Sequence, residues 1–156
     1  MRKLLLAVAA VSLSFAAQAQ APQYGPNITL EQAKKAMASA EAEARKNNWP
    51  VAIAIVDTAG HLVLYHRIDN TQTASVNVAI DKSVSAAIYR RPTKAFQDGL
   101  AKGGEGWRFP NLRGASMLDG GLPVVVDGKI VGGIGVSGVA GNQDAEVAKA
   151  GADAVK

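Results

Sequence analysis

The segment LPVVVDGKIVGGIGVSG, residues 122–138, decides the fold of this chain. Two apolar runs, 122–126 and 129–136, are joined by Asp127 and Gly128. Asp-Gly readily adopts the two positive φ angles that a type I′ turn requires, so the segment predicts a β-hairpin. The strands of a hairpin run antiparallel, and the chain is therefore expected to contain an antiparallel sheet.

The second strand of this hairpin carries the pattern G-x-G-x-x-G from Gly133 to Gly138. In dinucleotide-binding folds such glycines place a pyrophosphate at a helix N-terminus, but only within a β-α-β unit. Here the strand belongs to a hairpin, and no further strand follows Gly138. We therefore interpret the glycines as positions where the strand approaches a neighbouring backbone, that of the alanine-rich helix or of another subunit. A helix N-terminus beyond Ser137 and Gly138 would still attract a carboxylate or a propionate.

A second hairpin is predicted nearer the N-terminus, where the apolar run 51–56 and the alternating run 61–67 flank the turn at 57–60. Helical patterns surround the two hairpins. These patterns are predicted at 29–47, with a capping box at Thr29 and Gln32 and an alanine-rich stripe, at 74–89, at 93–101 with Thr93 as N-cap, and at 143–155. Residues 102–114 are predicted as a long surface loop. Together the elements predict one α+β domain with a central antiparallel sheet flanked by helices.

The first residues indicate export. Arg2 and Lys3 precede an apolar run that leads into Ala17-Gln18-Ala19, which is typical of a secretory signal peptide. We therefore predict a signal peptide at 1–19, a flexible arm at 20–28 and a domain at 29–156, located in the periplasm or secreted. No apolar run reaches the roughly 20 residues that a bilayer crossing needs, so no membrane span is predicted.

Composition limits the partners. The chain has 17 basic and 13 acidic residues, and removal of Arg2 and Lys3 lowers its formal charge from +4 to +2. A nearly balanced chain without a block of cations lacks the electrostatic footprint of a nucleic-acid binder. It has no cysteine, so disulfides, thiolate catalysis and zinc-thiolate sites are excluded.

Several short motifs occur together in one order. They are Val56-Asp57-Thr58-Ala59-Gly60-His61-Leu62-Val63, Arg67-Ile68-Asp69, Lys82, Gly120-Gly121-Leu122-Pro123, Gly132-Gly133-Ile134-Gly135-Val136-Ser137-Gly138 and Asp144. In this combination the chain resembles the GlcG/HbpS family, also called DUF336 or the PduO C-terminal-like haem-binding domain, over about residues 30–155.

The resemblance implies an α+β domain of profilin-like type that assembles into a homo-oligomer. It also implies haem as cofactor, since some members are extracellular haem binders that work beside a sensor kinase. In some members a histidine of the arm or first helix ligates iron, and this chain has no histidine there. The only histidines are His61 and His66.

These histidines lie five residues apart on one predicted strand. Such an odd separation places them on opposite faces, so they are not expected to share an ion unless a bulge intervenes. His61 follows the turn glycine and matches a recurrent family position, which makes it the predicted contact to ligand or iron. His66 is expected to share a face with Leu62 and Leu64, which favours a packed histidine, with ligand binding as the alternative.

The other candidates are charged or phenolic. Arg67 and Asp69 share a face if the strand continues, and they form either a surface ion pair or an anion clamp. Lys82 is either solvated or a second cation for the same ligand. Haem iron accepts a lone imidazole or a phenolate. In the haem interpretation His61 or a tyrosine, Tyr65 or Tyr89, meets the iron, and Arg67 and Lys82 meet the propionates.

The sequence thus predicts an exported, oligomeric protein that binds a planar or anionic small molecule, with haem as the leading candidate and an accessory role in sensing or uptake beside a kinase or transporter. One alternative is an enzyme in which His61 acts as general acid or base on a small carboxylate held by Arg67. Another is a non-catalytic oligomeric interaction protein.

Overall fold

The computed structural model of the protein describes residues 21–155, so the predicted signal peptide and the first residue of the predicted arm lie outside the described residues. The elements in chain order are α1 (Leu30–Lys46), β1 (Ala52–Asp57), β2 (Leu62–Arg67), α2 (Ser75–Tyr89), α3 (Lys94–Ala101), a 3₁₀ helix (Gly104–Asn111), β3 (Gly121–Val126), β4 (Lys129–Ser137) and α4 (Gly141–Asp153). Within this part of the chain, no helix is both long and apolar enough to cross a bilayer.

Both predicted hairpins are present, and they join into one four-stranded antiparallel sheet with the order β2-β1-β4-β3. Asp127 has a φ of 50° and Gly128 a φ of 72°, as a type I′ turn requires. The hairpins meet along β1 and β4, where Ala52 lies opposite Ser137. The predicted α+β class with a central antiparallel sheet is confirmed.

The two faces of the sheet are covered differently. On one face, α1 and α4 pack over branched side chains such as Ile53 and Ile55. On the other face, α2 packs where Ala52 and Ala54 form a smaller cluster with Ala79. Successive side chains of a strand point to opposite faces, so the alternation of alanine and isoleucine in β1 gives α2 a closer approach than α1.

The glycines of β4 also serve this close approach. A Cβ on Gly133 would lie 2.4 Å from the carbonyl oxygen of Ser83, and a Cβ on Gly135 would lie 2.1 Å from that of Ala79. These distances leave no room for any side chain. The G-x-G-x-x-G pattern therefore packs β4 against a backbone, and that backbone belongs to α2 rather than to the alanine-rich α1.

The start of α1 matches the prediction. The Gln32 N–H donates to Thr29 Oγ1 at 3.2 Å, and the Thr29 N–H donates to Gln32 Oε1 at 2.9 Å. This reciprocal pair is the capping box.

Residues 21–28 differ from the predicted flexible arm. The Gly25 N–H donates to the carbonyl of Ile130 at 2.8 Å, and the Ile28 N–H donates to that of Val131 at 2.7 Å. The Ile28 side chain is buried. The segment is anchored to β4 because backbone hydrogen bonds and one apolar side chain hold it there.

Two further expectations are corrected. The predicted loop 102–114 contains the 3₁₀ helix, in which Phe109 packs edge-on against Phe96 with 5.5 Å between the ring centroids. Thr93 does not cap α3, because its Oγ1 accepts a hydrogen bond from the Gly121 N–H at 2.9 Å instead.

Candidate functional site

His66 lies in β2 directly opposite Ile53, and it therefore faces α1. Its Nδ1 lies 2.9 Å from Oε2 of Glu41 in α1. Arg45, one turn further along α1, lies 2.6 Å from the other carboxylate oxygen of Glu41. The carboxylate is thus held between a guanidinium and an imidazole, and it orients the His66 ring.

The charge of Glu41 fixes the direction of this hydrogen bond. The hydrogen bond to His66 lowers the pKa of Glu41 below its usual value, and Arg45 lowers it further. An ionised carboxylate can only accept, so Nδ1 of His66 carries the proton and donates. In the neutral imidazole the lone pair is then on Nε2. Histidines that ligate metals commonly have this second hydrogen bond to a carboxylate.

The His66 ring borders a groove between α1 and β2 with a volume of about 270 Å³. We call it the His66 groove, and its lining residues are Lys34, Met37, Ala38, Glu41, Leu64 and His66. Its surface is mainly apolar, and its polar groups are the ammonium of Lys34, the carboxylate of Glu41 and the imidazole of His66. The side chain of His66 is 49 % exposed, so a ligand can reach the ring.

His61 lies just before β2, at the end of the first hairpin. Its N–H donates to Oδ1 of Asp57 at 2.9 Å, and its Nδ1 lies 3.4 Å from Oδ2. Burial alone would raise the pKa of Asp57, but hydrogen bonds from the N–H groups of His61 and Ala59 bring it below its usual value. The His61 side chain is 81 % exposed. The contacts that the structure gives this residue stabilise the turn.

The structure does not bring His61 and Arg67 to one rim. His61 precedes β2, and Arg67 is the last residue of that strand. A strand rises about 3.3 Å per residue, so the two residues lie about 20 Å apart. A ligand that contacts His61 therefore does not reach Arg67 unless it is as long as the strand.

An irregularity in the β1–β2 register also corrects the expected face of His66. Leu64 pairs with Ile55, whereas Leu62 pairs with Val56, so one residue of β2 is left over between them. Such a bulge interrupts the alternation of side chains. His66 consequently shares the α1 face with Leu64 but not with Leu62.

Asp69 lies beyond the end of β2, so it does not share a strand face with Arg67. It lines a concavity together with Arg45, Trp49 and Ile68. The condition for the predicted anion clamp, that the strand continues to Asp69, is not met.

Lys82 is buried, not solvated. Its Nζ donates to the carbonyl of Val136 and to Oδ2 of Asp144, both at 2.8 Å. Ser137 ends β4 nearby, and its Oγ lies 3.3 Å from that of Ser75. Lys82 and Ser75 belong to α2, and Asp144 reaches Lys82 from the first turn of α4. None of these residues lines the His66 groove.

Gly138 is a packing residue in this structure. A Cβ at this position would lie 2.2 Å from the carbonyl oxygen of Pro50. The close approach explains the glycine without a ligand.

The two candidate tyrosines, Tyr65 and Tyr89, are poorly suited to ligate iron as phenolates. Burial raises the pKa of Tyr65, although the charge of Arg67 opposes this shift. The Tyr89 hydroxyl donates to the carbonyl of Arg113 at 2.8 Å. Among residues 21–155, no three acidic, histidine or cysteine side chains are grouped so that they could hold a metal ion.

Residues 28–153 match the family described as "Haem degrading protein HbpS-like". The chain belongs to the HbpS-like family. Protein GlcG of Escherichia coli K12 is 40 % identical over 110 residues, which cover 70 % of this HbpS-like chain and 81 % of GlcG.

Two solved structures extend the comparison. A double mutant of HbpS from Streptomyces reticuli has a TM-score of 0.78 and 29 % identity, covering 100 % of this HbpS-like chain and 99 % of that chain. The PduOC:haem complex has a TM-score of 0.75 and 22 % identity, and the match covers 83 % of this HbpS-like chain and 96 % of the PduOC chain. The second likeness concerns the fold alone. The predicted family is confirmed.

Sequence reasoning missed Glu41, which orients His66. Glu41 and Arg45 stand four residues apart on α1, and this spacing signals only a helix ion pair. The contact with His66 crosses 25 positions of the chain, so it becomes visible only when α1 is placed on the sheet.

Proposed function

We propose that this HbpS-like protein binds haem in the His66 groove, with Nε2 of His66 as the iron ligand. The observation that carries the proposal is the 2.9 Å hydrogen bond between Nδ1 of His66 and Glu41. It holds the imidazole in one orientation and assigns the lone pair to Nε2. The family described as "Haem degrading protein HbpS-like" supports the choice of ligand.

The residues of the groove fit one face of a haem. Haem iron accepts a single proximal imidazole, and Met37, Ala38 and Leu64 offer apolar surface beside it. Lys34 pairs with Glu31 at the surface, and both side chains are more than half exposed. Exposed pairs of this kind contribute little, so the Lys34 ammonium is free to meet a propionate.

When bound, haem supplies redox and oxygen chemistry, whereas the chain supplies its position and surroundings. Glu41 keeps the proton on Nδ1 of His66, and Arg45 keeps Glu41 ionised. Met37 and Leu64 exclude water from the face of the ligand that they cover.

The haem proposal is tested by titrating the purified mature protein with ferric haem while the Soret band is recorded. We expect a saturable, shifted band for the wild type and for His61→Ala, and a lost or altered band for His66→Ala. His61→Ala is the matched control, because it removes a histidine that is more exposed and also lies next to a carboxylate. An unchanged spectrum for His66→Ala would contradict the assignment of the ligand.

The proposal includes a location outside the cytoplasm. Its support is the leader pattern at 1–19. The test is to recover the protein from the periplasm or the medium and to measure its mass. We expect the mass of a chain that begins at Gln20. A protein that keeps Met1 and stays in the cytoplasm would overturn this part. An accessory role in sensing or uptake is supported only by the family.

A homo-oligomer is also proposed. Val76, Ile80, Val84 and Ile88 recur every fourth residue along α2, and all four are partly exposed. The Tyr65 hydroxyl on the same side is buried without a hydrogen-bond partner among the described residues. A stripe of this kind, beside an unsatisfied polar group, is typical of a surface that a second subunit covers.

A further inference from the structure

A second cavity lies across the sheet from the His66 groove, where the end of β4 meets α2, the first turn of α4 and the segment before β3. Its volume is about 270 Å³. Four polar side chains that line it are at least nine-tenths buried. They are Lys82 at 2 %, Asp119 at 7 %, Ser137 at 6 % and Asp144 at 2 % exposure. We call this cavity the Lys82 cleft.

Lys82 retains a donor for a ligand. Its ammonium group has three N–H bonds. Two of them are used by the carbonyl of Val136 and the carboxylate of Asp144. The side chain lines the cleft, and the third N–H has no acceptor among the described residues.

Asp144, in contrast, already accepts a hydrogen bond at each of its two carboxylate oxygens. One oxygen accepts from Lys82 at 2.8 Å, and the other accepts from the Val139 N–H at 3.2 Å. Burial raises the pKa of Asp144, and the hydrogen bond and charge of Lys82 oppose that shift. Asp144 therefore fixes Lys82 in place and leaves little for a ligand.

Asp119 supplies an acceptor. Its Oδ1 accepts from the Gly120 N–H at 2.8 Å, and its own N–H donates to Oε1 of Gln97. These contacts hold the residue in position and leave Oδ2 for a donor from the cleft. The Ser137 hydroxyl, which shares its hydrogen bond with Ser75 at 3.3 Å, can serve as donor or acceptor.

The backbone next to Lys82 carries no side chain at Gly120. Gly120 has a φ of 116°, and a Cβ there would lie 2.9 Å from Nζ of Lys82 and 2.8 Å from Cβ of Asp144. Only glycine accepts both constraints.

We propose that the Lys82 cleft binds a small uncharged hydroxycarbonyl compound. A carbonyl oxygen of the ligand accepts from Lys82, and a hydroxyl group donates to Asp119. The polar groups of the cleft lie on buried side chains, whereas the His66 groove meets its ligand at the exposed ring of His66. Only a ligand with few atoms can therefore contact Lys82 and Asp119 together. Lys82, Asp119 and Asp144 together carry a net charge of −1, which disfavours a carboxylate. The inference concerns a different ligand from the haem proposal and does not depend on it.

The test is a titration of the mature, haem-free protein with hydroxyacetone, followed by amide chemical shifts. We expect saturable shifts that reverse on dialysis at Gly120, Val139 and Gly141. Three matched compounds separate the two contacts: acetone lacks the hydroxyl, propan-1-ol has a methylene in place of the carbonyl, and glycolate carries a carboxylate. Acetone and propan-1-ol are each expected to bind at least about tenfold more weakly, as the loss of a hydrogen bond to a charged group predicts. Glycolate is expected to bind more weakly because the cleft repels its charge.

Variants assign the binding to these side chains. Asp119→Asn should weaken hydroxyacetone binding about tenfold or more. Two control variants should leave hydroxyacetone binding unchanged. One is Asp127→Asn, which makes the same change in the exposed β3–β4 turn, and the other is His66→Ala. If Asp119→Asn does not fold, as judged by circular dichroism, Asp119→Ser takes its place with the same expected loss, because it also removes the ionised acceptor.

Three results would overturn the proposal. They are the absence of any saturable shift up to the solubility limit of hydroxyacetone, unaltered affinity in the folded cleft variant, and glycolate binding as tightly as hydroxyacetone. None of these results bears on haem binding, which is read from the Soret band.

Discussion

Glu41 shows how much depends on one carboxylate. It accepts from His66 on the neighbouring strand and from Arg45 on its own helix. Its pKa is lowered by both partners, the hydrogen bond to His66 first. The single residue thus joins α1 to β2 and orients the proposed iron ligand.

Glu41 should make the folded state more stable near neutral pH than at acidic pH. A carboxyl group whose pKa is lowered by folding stabilises the folded state above its unfolded pKa, and this contribution is lost as the pH falls through the folded pKa. We expect the free energy of unfolding to fall between about pH 6 and about pH 3, and to fall less steeply in Glu41→Gln. Urea unfolding across this range measures the difference. Parallel pH profiles for both proteins would contradict the assignment.

Glu41→Gln also tests whether Glu41 positions the ring. Because the amide can still accept from Nδ1 but carries no charge, haem binding should survive with a weakened iron–histidine bond. The outer partner of a metal-ligating histidine typically affects affinity by about 10–100-fold. The Soret titration gives the affinity, and the pH at which haem is released should rise in the variant, a change that a purely structural role would not produce.

Gly135 should tolerate no side chain. Its Cβ would approach the carbonyl oxygen of Ala79 to 2.1 Å, and this neighbour is backbone that cannot rotate away. We expect Gly135→Ala to cost about 3 kcal/mol, at the upper end of overpacking penalties, as measured by urea unfolding. Gly141→Ala is the control, because a Cβ at this position would lie 3.3 Å from its nearest neighbour, the Cβ of Asp119. Equal stability of the two variants would contradict the packing argument.

At this scale, the sequence predicted the chemistry of residues better than their surroundings. Lys82 is a candidate because it belongs to the motifs of the resemblance and carries a cation, and His66 is one because imidazole can ligate haem iron. The burial of Lys82 could not be predicted because its partner Asp144 lies 62 positions away. The separation of Leu62 from the face of Leu64 and His66 could not be predicted because it depends on a bulge in β2.

Among the elements, α2 and α4 lie on different faces of the sheet. The ion pair between Lys82 and Asp144 joins the two helices beside the end of β4. Both side chains are 3 % exposed. A buried pair adds little net stability relative to apolar residues, but removal of one partner is costly because the other stays buried and unpaired.

Lys82→Met is therefore expected to cost about 3–5 kcal/mol near neutral pH. Without the ammonium, burial raises the pKa of Asp144 further. A carboxyl group with a raised folded pKa stabilises the fold at low pH and loses that contribution as the pH rises. The variant should thus be closer to the wild type at about pH 5 than at about pH 8. Urea unfolding at both values measures this, and a cost that is independent of pH would contradict it.

The caps of α1 and α3 illustrate how far local sequence rules extend. The box at Thr29 was predicted because all its atoms lie within four residues. Thr93 looked equivalent in sequence, yet its hydroxyl contacts Gly121 on β3. A tertiary contact thus replaced the local one.

Thr29→Ala should destabilise the protein by about 1 kcal/mol, the usual effect of losing an N-cap. Thr73→Ala, at an exposed position ahead of α2, is the matched control and should change little. Chemical denaturation followed by far-UV circular dichroism compares them. Equal midpoints for the two variants would count against the cap.

For the whole molecule, hairpin signals and helix periods predicted the class and the order of elements correctly. They did not predict the layers, because the strand order β2-β1-β4-β3 places the last strand beside the first. Periodicity is local, whereas strand order is set by which apolar faces meet.

The apolar stripe of α2 leads to a prediction about assembly. Sedimentation velocity of the mature protein should show a species larger than the monomer. Ile80→Glu should shift it towards the monomer, because a charge in an apolar interface is strongly unfavourable. Asn142→Glu, at an exposed position in α4, adds the same charge elsewhere and should not. A monomeric wild type would refute the proposed homo-oligomer.

The partner of Lys82 lies in the last helix, and this has a consequence for biosynthesis. Until residue 144 has emerged, from the ribosome or from the export channel, α2 carries an ammonium group that has no carboxylate to receive it. Docking of α2 is completed only after residue 144 has emerged. Chains that stop before residue 144 are therefore expected to stay incompletely packed, which keeps them open to chaperones and proteases.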